Sequence, residues 1–258
     1  MPKILAVFGA TGQQGSSVIH HVLQNPSLRT QYTIRALTRD VDSPSARNLQ
    51  ERDIEVLPAD ILDRASLDLA LQGVHTVFAM TPPYTSASAL PSSSALTFEF
   101  ENGKRIADAA LAAGVAFFIF STLPSVSEIS HGKYTSVAPF DGKAKAEAYI
   151  RGLAASGMDS AFICPGSFME NFTAQRWSAP RKGVDGVWAV FLGGVEEMAP
   201  FEGLKDFLEE VYRYAEEFGG ILGGEEENVR WAVESVGGRS ELTSLEKFLE
   251  KYPYELGD

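Results

Sequence analysis

Residues 4–15 read Ile4-Leu5-Ala6-Val7-Phe8-Gly9-Ala10-Thr11-Gly12-Gln13-Gln14-Gly15. An apolar run ending in glycine predicts a short buried strand, and Val18, Ile19, Val22 and Leu23 then recur at helical spacing. Gly9, Gly12 and Gly15 thus form G-x-x-G-x-x-G between a strand and a helix. A tight turn that brings backbone against a pyrophosphate needs residues without side chains. The helix N-terminus then offers unpaired N–H groups and the positive end of its dipole to phosphate. Glycine triplets are common in loops, but strand, spacing and helix together point to a bound dinucleotide.

The second strand, at residues 32–38, runs through Arg35-Ala36-Leu37-Thr38 into Arg39 and Asp40. In such a fold its end lies beside the adenosine ribose. A carboxylate there accepts hydrogen bonds from the 2′-hydroxyl and favours NAD, whereas a guanidinium grips a 2′-phosphate and favours NADP(H). Arg39 makes NADP(H) the expected cofactor. Two alternatives stay open at this point: Asp40 facing the ribose in its place, or Arg39 as a solvated loop cation.

Farther out, apolar runs predict strands at 54–57, 76–80, 116–120 and 160–164. Helical spacing falls at 43–51, 65–71, 96–113 and 140–155, and Asn25-Pro26 is read as the stop of the first helix. Short apolar strands alternating with helices predict an α/β fold, a Rossmann-type doubly wound parallel sheet covered on both faces. Ligands of such sheets lie off the carboxyl ends of the strands. By position, Asp60 and Ile61, Thr81, Pro82 and Pro83, and Ser121 and Thr122 are candidate cofactor contacts. The pattern changes after Asn171. Residues 1–175 are therefore read as the nucleotide-binding domain, and residues 176–258 as a small, mostly helical C-terminal region, with helices at 204–218 and from the Thr243-Ser244-Leu245-Glu246 capping box through 252.

The net charge is −12, and residues 201–258 hold 15 acidic against 6 basic side chains. Such a balance repels phosphate backbones and anionic lipid, which argues against nucleic acid and membrane partners. No apolar run is long enough for a membrane span, and the first residues do not read as a secretory signal. Cys164 is the sole cysteine, which excludes an internal disulfide and fits a reducing, cytoplasmic setting. No metal site is expected: His20 and His21 are adjacent and far from Cys164, while His75 and His131 are isolated and read as surface residues. Cys164 reads as a small core residue, and Asp108 and Glu147 as solvated helix charges.

The glycine segment, Arg35 to Arg39, Phe140-Asp141-Gly142-Lys143 and Pro165-Gly166-Ser167-Phe168-Met169-Glu170-Asn171-Phe172 together resemble the NmrA-like family, atypical short-chain dehydrogenase/reductases, with its NADPH-sensing branch nearest. The resemblance spans residues 4 to about 175 and resumes in the closing helices near 207–220 and 242–252. It implies that Thr11, Gln13, Gln14, Lys143, Pro165, Ser167 and Asn171 join the glycines and Arg39 around NADP(H). It also implies a regulatory protein partner, and a homodimer through the helices at 96–113 and 140–155. Family members carry several tens of further residues where this chain passes through 190–200, so a shortened substrate lobe is expected.

Standard short-chain dehydrogenases use Tyr-x-x-x-Lys, in which the lysine lowers the pKa of a proton-exchanging tyrosine. Four residues before Lys143 stands Pro139, while Tyr134 and Tyr149 lie nine before and six after, offsets that miss the lysine's helix face. Two main readings follow. The chain is a redox sensor that binds NADP(H) and alters its association with a partner, or an NADPH-dependent reductase in which Lys143 itself performs the acid–base step, as in the isoflavone-reductase-like relatives. A third, an interaction module that has lost its nucleotide, is disfavoured by the intact glycines, Arg39 and Lys143.

Overall fold

The computed structural model describes residues 1–81, 92–166 and 168, the short stretches 181–182 and 188–189, and residues 210, 213, 214 and 217. The chain divides into two units, residues 1–126 with 138–164, and residues 127–137 with 165–258.

The first unit is built on six parallel strands: β1 (Lys3–Phe8), β2 (Tyr32–Thr38), β3 (Glu55–Pro58), β4 (Val74–Ala79), β5 (Phe117–Ser121) and β6 (Asp159–Ile163). Their order is β3-β2-β1-β4-β5-β6. The chain winds outward from β1 through β2 to β3, then returns to the other side of β1 with β4. That reversal opens a crevice at the carboxyl ends of β1 and β4, the position where such sheets bind ligands. The Rossmann-type class expected from the sequence is the fold observed.

Strand alternation divides the core between the two faces. Leu5, Val7, Ile34 and Ala36 pack with Ile19 and Val22 of α1 (Gln13–Gln24) and Leu49 of α3 (Pro44–Gln50). Ala6, Phe8, Leu37, Phe118 and Phe120 pack on the other face. There they meet Leu67 of α4 (Arg64–Ala70), Ile106 and Ala110 of α5 (Ser92–Ala112), and Ala146 and Ile150 of α7 (Ala138–Gly152). Helices α5 and α7 approach closely because small residues face each other: a Cβ on Gly103 would lie 2.7 Å from Ala146 Cβ, and one on Gly142 2.7 Å from Glu99 Cβ.

Asn25-Pro26 stops α1, as expected, but it also starts α2 (Pro26–Gln31). The Asn25 carboxamide accepts from the Ser27 and Leu28 N–H groups, and Pro26 fits the first turn, where no N–H is needed. A further short helix, α6 (Val126–Ile129), follows β5. No helix among the described residues is long and apolar enough to cross a membrane.

In the second unit, Lys133, Tyr134 and Ser136 lie against Glu210, Tyr214 and Glu217. The Tyr134 phenol donates to Glu217 (2.7 Å), Lys133 pairs with the same carboxylate, the Ser136 N–H donates to Glu210 (2.6 Å), and the Tyr134 and Tyr214 rings meet edge to face. Two short antiparallel strands, β7 (Arg181–Lys182) and β8 (Trp188–Ala189), complete the described part.

Candidate functional site

The β1–α1 turn is shaped by its glycines. Gly9 sits at φ +62°, a left-handed conformation that suits glycine, and its carbonyl accepts the Gly12 N–H (2.9 Å). Gly15 is buried, and a Cβ there would fall 2.3 Å from the Gly9 oxygen, so only glycine lets α1 start this close to β1. Gly12 caps α1 without a side chain, and the first turn carries no acidic residue. Among the described residues no side chain accepts from the N–H groups of Gln13, Gln14 and Gly15. A cradle that a Cβ would crowd, rimmed with unshared donors, fits a pyrophosphate. Thr11 and Gln14 are half-buried beside it, and Gln13 is exposed.

Two arginines, Arg35 within β2 and Arg39 just after it, differ in their surroundings. Arg35 is buried and spent inside the unit: it pairs with Glu55 (2.7 Å) and donates to the carbonyls of Ala70 (3.0 Å) and Gln72 (2.7 Å) that close α4. Arg39 is exposed and has no hydrogen bond or ion pair among the described residues. Asp40 bends into its own loop, its carboxylate accepting the Asp42 N–H (2.9 Å) just before Ser43 caps α3. Both charges after β2 are exposed, and of the two only the carboxylate is engaged by its own loop among the described residues.

The Asp60 carboxylate is exposed and accepts the Leu62 N–H of its own loop (2.9 Å), while Ile61 packs on the core. Ser121 and Thr122 are buried at the end of β5, with the Thr122 N–H donating to Ile163 (2.9 Å). Thr81 follows β4 and is 1% exposed. Its hydroxyl accepts from the Lys143 ammonium, which also pairs with Glu99 of α5 at 2.9 Å. Topology thus brings Gly9, Gly12, Gly15, Arg39, Thr81 and Lys143 to the carboxyl edge of one sheet. Pro165 follows β6 and is half-buried; Pro82, Pro83, Ser167 and Asn171, and the shortening expected at 190–200, lie outside the described residues.

No phenol stands beside Lys143 among the described residues. Pro139 occupies the first turn of α7. The Tyr149 phenol donates to Asp108 (2.5 Å), and this hydrogen bond, reinforced by burial, raises its pKa. The Tyr134 phenol is raised in the same way by its bond to Glu217. Asp108, read from the sequence as a solvated charge, is instead half-buried and shared by Tyr149 and Lys104, whose own pKa rises chiefly through that hydrogen bond. Cys164 is half-buried beyond β6 rather than part of the core, and the His75 ring lies 2.9 Å from the Thr76 hydroxyl. Glu99 was not singled out in the sequence. Its signal is position: it lies on the stripe of α5 that buries Asn102, Ile106 and Ala110, where an unpaired carboxylate would be costly.

The family model described as the NmrA-like family matches residues 1–190. Among curated proteins, the NmrA-like family domain-containing oxidoreductase ptmS of Penicillium ochrochloron is 30% identical over 97% of this chain and 72% of its own length. FrzB of Cladobotryum sp, named in the same terms, is 37% identical over 68% of this chain and 49% of its own length. Among solved structures, NmrA, a negative transcriptional regulator, superposes with a TM-score of 0.56 at 26% identity, covering 73% of this chain and 53% of that one. NmrA in complex with NAD gives 0.55 at 26%, over 72% and 53%. The triphenylmethane reductase of Citrobacter sp., complexed with NADP(H), gives 0.51 at 23%, over 66% and 51%, and bears on the fold alone. The chain thus spans about half the length of FrzB and of these structures.

Proposed function

The chain belongs to the NmrA-like family, and on that premise we propose that it binds a nicotinamide dinucleotide, NADP(H) before NAD(H), as a redox sensor that alters its association with a protein partner. The observation that carries the cofactor reading is the glycine cradle at Gly9, Gly12 and Gly15, with its unshared α1 donors. Arg39, exposed at the end of β2 while Asp40 serves its own loop, supports NADP(H). Across the sheet reversal, Thr81 and Lys143 would take the nicotinamide half. The bound dinucleotide would supply a transferable hydride.

The sensor reading rests on the missing proton donor. Pro139 stands where the tyrosine would, the phenols of Tyr134 and Tyr149 are committed to Glu217 and Asp108, and Lys143 is held by Glu99. Hydride transfer to a carbonyl leaves an alkoxide needing a proton, and losing a general acid typically costs about 10²–10⁴ in rate. The oxidoreductase names of ptmS and FrzB favour a second reading, an NADPH-dependent reductase that uses Lys143. NADPH consumption over a panel of aldehydes, ketones and quinones, for wild type and Lys143→Met, separates the two. The expected result is no steady turnover; turnover of about 1 s⁻¹, ordinary for an enzyme, that vanishes in Lys143→Met makes the chain a reductase.

A further inference from the structure

We infer that Glu99 is a positioning residue for Lys143: it holds the ammonium at the carboxyl edge of β4 with one donor left for the nicotinamide-side ribose, an inference that rests on the dinucleotide reading above.

Glu99 is 2% exposed, and its carboxylate meets the Lys143 ammonium at 2.9 Å. A carboxylate so enclosed is tolerable only when paired, so the geometry of the pair is set by where α5 puts Glu99. That placement is tight. Gly142, the residue before Lys143, has no Cβ, and one would lie 2.7 Å from Glu99 Cβ and 2.8 Å from the Leu96 carbonyl oxygen. The glycine thus makes room for Glu99 directly against the backbone that carries Lys143. An ammonium has three donors. Among the described residues two are spent, on Glu99 and on the buried Thr81 hydroxyl. Lys143 keeps 16% of its side chain exposed, so the ammonium is anchored without being sealed.

The position of this anchor assigns its ligand. Arg39 follows β2 on one side of the reversal, and Thr81 follows β4 on the other. A dinucleotide laid across β1, with its 2′-phosphate at Arg39, carries its second ribose to the Thr81–Lys143 side. A vicinal diol there accepts from an ammonium whose other two donors are fixed. A flexible lysine without Glu99 would have to be ordered by the ligand itself, at a cost in affinity.

The test is calorimetric, on the full chain, with two probes: NADPH, and adenosine 2′,5′-diphosphate, which has the 2′-phosphate but no second ribose. The proteins are wild type, Glu99→Gln, Lys143→Met and the double variant. Glu99→Gln is expected to weaken NADPH roughly 10- to 100-fold, within the range of one charge-assisted hydrogen bond. Adenosine 2′,5′-diphosphate should bind unchanged, and the double variant should bind NADPH as Lys143→Met does, because the two residues act as one unit. Equal weakening of both probes would reduce Glu99 to a strut between α5 and α7. Unchanged NADPH affinity in Glu99→Gln or in Lys143→Met overturns the proposal, as does a double variant weaker than Lys143→Met by the full Glu99 factor. Wild type that binds neither probe removes the dinucleotide reading, and this proposal with it. If Glu99→Gln does not fold, Glu99→Asp carries the test: it keeps the buried charge but withdraws it by one methylene. The same split between probes is expected, and unchanged NADPH affinity overturns the proposal.

Discussion

The two sides of the sheet reversal are built from different material. On the β1 side the site is backbone: a left-handed Gly9, a Gly15 that admits no Cβ, and helix-start N–H groups that no side chain caps. On the β4 side it is side chain: a lysine from α7, a carboxylate from α5 and a hydroxyl after β4, drawn from three separate parts of the sequence. The first kind is local and rigid, so a change there is felt at once by any ligand. The second depends on how two helices pack, and its failure should be graded and ligand-specific.

The largest effect is therefore expected in the glycine turn. At Gly12 a Cβ would stand 3.3 Å from the Gly9 oxygen, tight but tolerable, with the rest of a larger side chain projecting into the cradle. Gly12→Val should lower NADPH affinity on the order of 100-fold or more, through two or more phosphate contacts worth roughly 1.5–3 kcal/mol each, with thermal stability near that of wild type. Gly15→Ala should do the reverse first, because its Cβ would fall 2.3 Å from the Gly9 oxygen. A stability loss of about 1–3 kcal/mol is expected from such overpacking. Calorimetry and thermal unfolding on both variants check the contrast, and unchanged NADPH affinity in Gly12→Val would break it.

A smaller effect separates Arg35, within β2, from Arg39, just after it. Arg39→Asp should erase or invert a preference for NADPH over NADH of about 10- to 150-fold, the range of a bidentate charge-assisted contact. Arg35→Met should leave that ratio alone and cost about 1–3 kcal/mol of stability, since the carbonyls of Ala70 and Gln72 lose their donor. Affinities for the four nicotinamide dinucleotides, measured beside thermal unfolding, give both numbers. Equal wild-type affinities for NADPH and NADH would sink the assignment of Arg39.

This contrast also explains what the sequence could convey. The glycine turn was legible because all its parts lie within one strand and the helix that follows, and the six strands were legible because their apolar runs are short and punctuated. The different surroundings of Arg39 and Asp40 were not, since they depend on Asp40 closing an Asx turn onto Asp42. Asn25-Pro26 was read as a stop because proline ends helices, yet an asparagine cap and a first-turn proline also begin one. Glu99 escaped because its partner is 44 residues away; only its place on the buried stripe of α5 hints at a pair. Asp108 was misread for the same reason, its phenol partner Tyr149 lying on another helix.

The smallest effect belongs to the counterpart of the Lys143–Glu99 pair in the second unit, the exposed Lys133–Glu217 ion pair and the buried Tyr134 that shares its carboxylate. The Glu217 carboxyl is held below its ordinary value of 4.5, first by the Lys133 hydrogen bond and then by that of Tyr134. Lys133 is raised above its ordinary 10.5 and Tyr134 above 10.0, both chiefly by Glu217. A lowered acid contributes stability that is full above its unfolded value and lost as pH falls through the folded one. Raised groups contribute stability that is full below their unfolded values and lost as pH climbs through the folded ones. The cluster should therefore tie residues 133–134 to Glu217 most firmly between about pH 5 and pH 9, and only modestly, because water and salt screen exposed charges. The thermal stability of wild type minus that of Glu217→Gln is expected to be flat across that window. It should shrink below about pH 4.5, with the Glu217 midpoint read by side-chain carboxyl NMR moving back toward 4.5 in Lys133→Met. A difference that stays constant into acid would mean that Glu217 contributes by packing alone, and that side-chain pairs in this protein matter only where they are buried.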